Sequence, residues 1–283
     1  SGMVTESLAQ PAVRTALVPS TAATVRMRER RVGGAMTDSV AGIVLAAGAA
    51  RRLRPISDIV PKPLCPVGNE TLLERAIRRV GSACEGVAVN VDHHAAAIRD
   101  AVGEQAWISH AREEALGTAG AVAALRDWIG SRAVAVVNAD TYCPGDMETL
   151  LAGWDGTSVR LWAPGGGAFG PTIPVVGCLL PNEALQGLEA RPSGLYAVVW
   201  RAWHQMGRLE VVPFVGVAVD CGTPRRLLEA NLIAVGEAPG SVKVGAGAAV
   251  RGRVEASAIG AGAQVDGSVV ESVIFPGAVV HAN

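Results

Sequence analysis

From Val40 onward the chain alternates two kinds of hydrophobic pattern. Short, mainly apolar runs at residues 43–46, 87–91, 106–109 and 134–137 have the length of strands buried on both faces. Between them, residues 72–80 (Leu72, Leu73, Ala76, Ile77 and Val80), 95–102 and 119–129 return apolar side chains at helical spacing. Alternation at this pitch predicts right-handed crossovers and an α/β fold built on a mainly parallel sheet with helices on both faces. Ligands of such sheets bind beyond the carboxyl ends of the strands, so the residues that follow each strand are where chemistry is expected. After residue 158 the alternation weakens. The glycines at 165–167 and Pro171, Pro174 and Pro181 predict loops and shorter, antiparallel strands that extend the sheet.

The last forty residues change in kind. The segment 244–258 (VGAGAAVRGRVEASA) is followed directly by 259–273 (IGAGAQVDGSVVESV) and by the half copy 274–280, a repeat of fifteen residues. Within each copy an aliphatic residue recurs six positions on: Val244 and Val250, Ile259 and Val265, Ile274 and Val280. A flexible tail has no reason to keep its aliphatics in register, whereas a parallel β-helix stacks them inside. Two and a half coils bury little alone and are expected to lean on the preceding domain or on another subunit. Three regions follow: a leader at 1–37, a catalytic domain at 38–240 and a short β-helix at 241–283. The leader mixes small apolar residues with five arginines and has no continuous apolar core, so it is no secretory signal. Ser1-Gly2-Met3 has the look of a tag remnant ahead of an initiator methionine, with Met36 as a second candidate start.

Composition narrows the function classes. A formal net charge of -1 supplies no global field for nucleic acid or an anionic membrane. The five cysteines, Cys65, Cys84, Cys143, Cys178 and Cys221, are scattered without metal-site spacing, which fits free thiols in a reducing cytoplasm. No apolar stretch approaches the roughly 18 residues of a membrane span.

The chemistry concentrates after the first strand, in Leu45-Ala46-Ala47-Gly48-Ala49-Ala50-Arg51-Arg52-Leu53-Arg54-Pro55. A small-residue loop lets backbone N–H groups approach a polyphosphate, and three arginines add charge-assisted donors. Pro61-Lys62-Pro63 follows, with two prolines stiffening the backbone of a lysine suited to a second phosphate contact. Asp140 ends the apolar run Val136-Val137-Asn138-Ala139, and Asp220 ends another Val-rich run. Two carboxylates at one sheet edge suit a hard cation such as Mg²⁺, with phosphate oxygens completing its shell.

The combination LAAG-x-x-x-R-L-x-P, then PKP, resembles the sugar-phosphate nucleotidyltransferase family. Leu116-Gly117-Thr118-Ala119-Gly120 is similar to that family's base-reading turn, Asn138-Ala139-Asp140 to its metal-binding strand end, and Val219-Asp220-Cys221-Gly222-Thr223-Pro224 to its second aspartate motif. The resemblance spans residues 40–280. It implies a Rossmann-like nucleotidyltransferase domain followed by a left-handed parallel β-helix, and an enzyme that joins a sugar-1-phosphate to a nucleoside triphosphate with release of pyrophosphate. It further implies that Arg52 faces the departing pyrophosphate, that Lys62 holds the α-phosphate or the sugar phosphate, and that Gly117 and Thr118 lie at the nucleobase. Mg²⁺ falls to Asp140 and Asp220, and the strand carrying Gly177 and Cys178 to the sugar. The LGTAG form of the turn favours GTP. A homo-oligomer is expected, with no nucleic-acid or membrane partner.

The sequence also departs from the family. Ala50 and Arg51 stand where a glycine and a threonine are usual, and no Glu-Lys-Pro motif supplies the usual sugar-phosphate lysine. Arg160 or Arg191 is expected to complete the clamp, with a heptose or cyclitol phosphate as the corresponding unusual substrate. The rival reading is a catalytically silent regulatory or scaffold homologue, which the survival of Asp140, Asp220 and Lys62 disfavours.

Overall fold

In the computed structural model, residues 39–92, 94–109, 115–236 and 240–282 are described. The leader at 1–37 and His93, read from sequence as part of a polar helix start, lie outside them. The framework is a seven-stranded sheet of β1 (Val40–Leu45), β4 (Val87–Asn90), β5 (Trp107–Ile108), β6 (Ala133–Asn138), β8 (Val159–Pro164), β9 (Gly177–Leu180) and β10 (Leu209–Phe214), in the spatial order 10-8-9-6-1-4-5. β1 lies between β4 and β6, parallel to both, and all of its first five residues are buried. That explains its unbroken run of apolar residues.

Helices cover both faces: α1 (Leu72–Gly81), α2 (Ala95–Val102), α3 (Gly117–Ala124), α4 (Arg126–Ile129), α5 (Glu148–Leu151), α6 (Arg201–Gln205) and α7 (Pro224–Val235). α1 follows a short hairpin of β2 (Pro66–Val67) and β3 (Glu70–Thr71) and starts on a capping box, in which Thr71 and Glu74 each satisfy the other's backbone N–H. α7 starts with Thr223 as cap and Pro224 in the first turn.

Two expectations are corrected. The segment 119–129 is two helices, because Leu125 leaves helical geometry and its N–H bonds back to Val122 in a tight turn. Within the seven-stranded sheet only β9 runs antiparallel, while β8 and β10 are six-residue strands parallel to each other and, through β9, to the rest of the sheet.

The C-terminal residues form stacked parallel ladders. Val242–Val244 pairs with Ser257–Ile259 and that with Val273–Ile274; Ala249–Val250 pairs with Gln264–Val265 and that with Val279–Val280; Val254–Glu255 pairs with Val269–Val270. Every pairing advances fifteen residues, so one sequence repeat is one layer. Ile259, Ala263, Val265 and Val269 are buried between the ladders. Glycine is required at the corners: a Cβ on Gly245 would lie 2.4 Å from the Ala261 nitrogen, and one on Gly260 2.4 Å from the Pro276 nitrogen. The layers rest on α7 through Ser257–Ile259, and Phe275 joins the cluster containing Leu53, Val67, Leu72, Val219 and Leu227.

Candidate active site

β1 and β6 deliver two loops to the carboxyl edge of the sheet. The Ala46 N–H donates to the Asn90 carbonyl and the Ala139 N–H to the Leu45 carbonyl, each at 3.0 Å, so the three central strands are tied together at the point where they end. Ala46 and Ala139 are buried and Asn138 half-buried in this tie. Ala47 is half-buried, Gly48 and Ala49 are exposed, and a Cβ on Gly48 would meet no atom within 4 Å. The backbone of this loop is open to approach. Ala50 takes a left-handed conformation (φ 48°, ψ 30°) that opens a 3-10 turn at Arg51–Leu53, and the fully buried Leu53 anchors the turn. The loop thus takes the shape a glycine would adopt freely, with an alanine at the strained position.

The three arginines part company at this turn. Arg54 is held by Asp58 at 3.0 Å, whereas the Arg52 guanidinium reaches within 3.7 Å of the Asp220 carboxylate. Arg51 is exposed.

Lys62 is the most constrained of the cations. It starts a 3-10 turn at Lys62–Leu64 and is 8% exposed. Its Nζ donates to Asp140 Oδ2 at 2.8 Å and to Asp220 Oδ1 at 3.1 Å. Burial opposes the charge on this ammonium, but the Asp140 and Asp220 carboxylates outweigh it and raise the Lys62 pKa above the ordinary lysine value.

The two aspartates, eighty positions apart, are joined by backbone pairing. β7 (Thr141–Tyr142) pairs antiparallel with β11 (Val219–Asp220), setting Thr141 opposite Asp220, and the Cys221 N–H donates to the Asp140 carbonyl at 2.9 Å. Both carboxylates therefore converge on one ammonium. A pair of oxygen donors that already grips a cation suits a hard divalent ion, which needs its remaining ligands from phosphate and water. Among the described residues no third acidic, histidine or cysteine side chain joins them. The thiols are not candidates, since burial pushes Cys65 up to about 12 and Cys221 up to about 11.

The structure separates the other expected residues from this centre. Arg160 lies near the start of β8, at the far end of the strand from the carboxyl edge, where it pairs with Glu210 at 2.8 Å and donates to the carbonyls of Leu150, Ala152 and Gly153. Its guanidinium is thus engaged as a structural brace away from Asp140 and Asp220. The Arg191 guanidinium pairs with Glu189, and its backbone packs on α3.

Gly117 is required by the fold itself. It has φ +63°, and a Cβ there would lie 2.5 Å from the Ser193 carbonyl oxygen. Thr118 is likewise engaged, accepting from the Leu195 N–H at 2.9 Å. Cys178 is buried in the core, paired with Val136 on one side and Leu161 on the other, so it cannot present itself to a sugar. Gly177 sits at the correct edge but is also paired on both sides.

Three residues assigned no role at the site from sequence belong here. Gly222 leaves room for Arg52, since a Cβ on it would come within 3.1 Å of the guanidinium and 3.0 Å of Asp220 Oδ1. The Cys-Gly-Thr-Pro run that contains it was the available signal. Ser57 and His94 line a pocket with the 48–50 loop and Lys62; the sequence marks His94 only as a polar helix start and Ser57 not at all.

The comparisons agree with this architecture. N-acetylmuramate alpha-1-phosphate uridylyltransferase from Neisseria meningitidis serogroup B is 30% identical over 227 residues, which is 68% of this chain and 97% of that protein. Mannose-1-phosphate guanylyltransferase catalytic subunit beta from Drosophila pseudoobscura is 24% identical over 66% of this chain and 60% of its own length. A crystal structure from Bacillus anthracis, provisionally assigned as a glucose-1-phosphate thymidylyltransferase, superposes with a TM-score of 0.60 at 19% identity, covering 69% of this chain and 95% of that one. HddC from Yersinia pseudotuberculosis gives 0.55 at 16% identity, over 68% of this chain and 97% of its own. At these identities the two structures speak to the fold alone. The family model of the MobA-like NTP transferase domain matches residues 42–206, the stretch that carries the open loop after β1, Lys62 and Asp140, and the chain belongs to that family.

Proposed function

We propose that this chain transfers a nucleoside monophosphate from a nucleoside triphosphate to a sugar-1-phosphate, forming a nucleoside-diphosphate sugar and pyrophosphate. The observation that carries the reading is the convergence of Asp140, Asp220, Lys62 and Arg52 at the carboxyl edge of the sheet, beside an open small-residue loop. A sugar-phosphate oxygen attacks the α-phosphorus, the bond from that phosphorus to the bridging oxygen breaks, and pyrophosphate leaves with the electron pair. The nucleophile is already ionised at neutral pH, so no general base is needed, and catalysis is positioning with charge neutralisation. The 46–50 backbone and Arg52 receive the β- and γ-phosphates, and Lys62 receives the α-phosphate or the sugar phosphate. Asp140 and Asp220 would hold Mg²⁺, which when bound neutralises developing charge on the phosphates.

The nucleobase has two readings. Guanine follows from the Leu116–Gly120 resemblance, and uracil from the uridylyltransferase of Neisseria, which is 30% identical over 227 residues. The sugar is proposed to be one other than a common hexose, since the chain has no Glu-Lys-Pro lysine. The stacked ladders are proposed to be coils of a left-handed β-helix and to support a homo-oligomer. A cytoplasmic location accords with the absence, among the described residues, of any helix long and apolar enough to cross a membrane. One panel tests the whole reading: pyrophosphate release for the five common triphosphates against a set of sugar-1-phosphates, N-acetylmuramate and heptose phosphates included. Release with no pair in the panel would favour the catalytically silent homologue.

A further inference from the structure

At the cleft edge both carboxylates are already met by cations of the segment that also forms the phosphate site. Asp140 and Asp220 share the Lys62 ammonium, and Asp220 has the Arg52 guanidinium within 3.7 Å. Two negative and two positive groups sum to no net charge. Lys62 is buried and its neighbouring prolines restrict its backbone, so the ammonium is presented to the two carboxylates by the fold itself. A divalent ion that arrives alone gains no net attraction and must displace a charge-assisted pair of hydrogen bonds.

A nucleoside triphosphate changes both sides of this exchange. Its phosphate oxygens give Lys62 and Arg52 anionic partners of their own, and they supply the oxygen ligands that two aspartates leave open on Mg²⁺.

We infer that Lys62 acts as a built-in placeholder for the metal, so that the free protein binds a divalent cation poorly and takes it up together with the nucleotide. The inference rests on the reading of Asp140 and Asp220 as metal ligands. It assigns Lys62 two successive partners, the carboxylates before the nucleotide arrives and a phosphate afterwards. The coupling is reciprocal, so the metal strengthens nucleotide binding by the same factor by which the nucleotide strengthens metal binding.

The test is titration of Mn²⁺ into the full chain without nucleotide, with the free ion followed by electron paramagnetic resonance. Wild type is expected to bind weakly, Lys62→Met at least about tenfold more tightly, and Lys62→Met/Asp220→Asn to return to the wild-type level. Arg52→Ala alters an exposed side chain that the fold does not need, and it is expected to tighten Mn²⁺ by roughly two- to fivefold. It keeps the test decisive if Lys62→Met fails to fold, which circular dichroism detects. Wild-type binding as tight as that of the variants overturns the inference, as does an unchanged affinity in every folded variant. The titration uses neither nucleotide nor sugar phosphate, so its failure leaves the pyrophosphate panel standing, and a silent panel leaves this result standing.

Discussion

Residue positions in the cleft separate groups that look equivalent in the sequence. Arg51, Arg52 and Arg54 are neighbours, yet only Arg52 is set toward Asp220, while Arg54 is held by Asp58. Alanine at each position, assayed in parallel, is expected to damage turnover only at 52. A loss centred on Arg51→Ala would mean that the turn presents a different guanidinium. Asp140→Asn and Asp220→Asn are each expected to lower turnover by about 10²-fold or more with the fold retained, as for loss of one fixed charge partner in a reacting centre. Near-normal Mg²⁺-dependent rates in either would remove that residue from the site. Arg160 reverses the expectation drawn from its type. Because its guanidinium joins Glu210 to three carbonyls, Arg160→Ala should cost about 1–3 kcal/mol of stability. The Michaelis constant for sugar phosphate should stay unchanged in that variant, and a rise of tenfold would restore the arginine to the clamp. Lys62 also fixes an alkaline boundary. Its folded pKa is raised, so its pairing contributes fully below the ordinary 10.5 and fades only as pH climbs through the folded value. What the sequence could disclose at this scale was residue type and strand-end position. Partners fifty to eighty residues away, such as Glu210 for Arg160, leave no local trace.

Element boundaries show where local pattern suffices and where it fails. β1, β4 and β6 were legible because central parallel strands are apolar throughout, and α1 because its cap and its apolar stripe agree. β8 and β10 were read as antiparallel because strand direction depends on the connection and on the neighbouring strand, neither of which the residues of β8 encode. From Ala119 to Leu125 the residues of α3 are small or apolar without a polar face, so the helical pattern carries on through its end and the break at Leu125 leaves no mark. Its N-terminal half is clamped by the segment at 191–195: the Ala119 N–H donates to the Ser193 carbonyl, the Ser193 N–H to the Leu116 carbonyl, and the Leu195 N–H to Thr118 Oγ1. Gly120 permits this clamp, because a Cβ there would run into the Arg191 carbonyl. Gly120→Ala is therefore expected to cost about 1–3 kcal/mol in urea denaturation, through displaced backbone and strain. A change below about 0.5 kcal/mol, within the range of an ordinary surface substitution, would show that the two segments are not in contact.

At the scale of the molecule, the fifteen-residue repeat and the catalytic cleft meet through one apolar cluster. The repeat itself was legible because a stack of identical layers must repeat its aliphatics in register, and every observed ladder advances by that period. Its docking surface was not, since α7 shows no pattern that distinguishes a face covered by another helix from one covered by coils. In the structure Phe275 packs into the cluster that includes Leu53 and Leu227. Leu53 anchors the turn that carries Arg52, and Leu227 belongs to α7, which follows Asp220. The stacked layers thus buttress the elements that hold the cleft. Deleting residues 241–283 should strip cover from α7, lower the melting temperature and increase binding of a hydrophobic dye. Phe275→Ala alone should reproduce part of the loss, at about 1–3 kcal/mol for a partly buried aromatic, below the 3–5 kcal/mol of full burial. If the coils also join subunits through exposed Val244, Val270 and Val279, light scattering should show a smaller mass for the deletion. Equal mass with lowered stability would confine them to the role of buttress, and equal mass with equal stability would remove both roles.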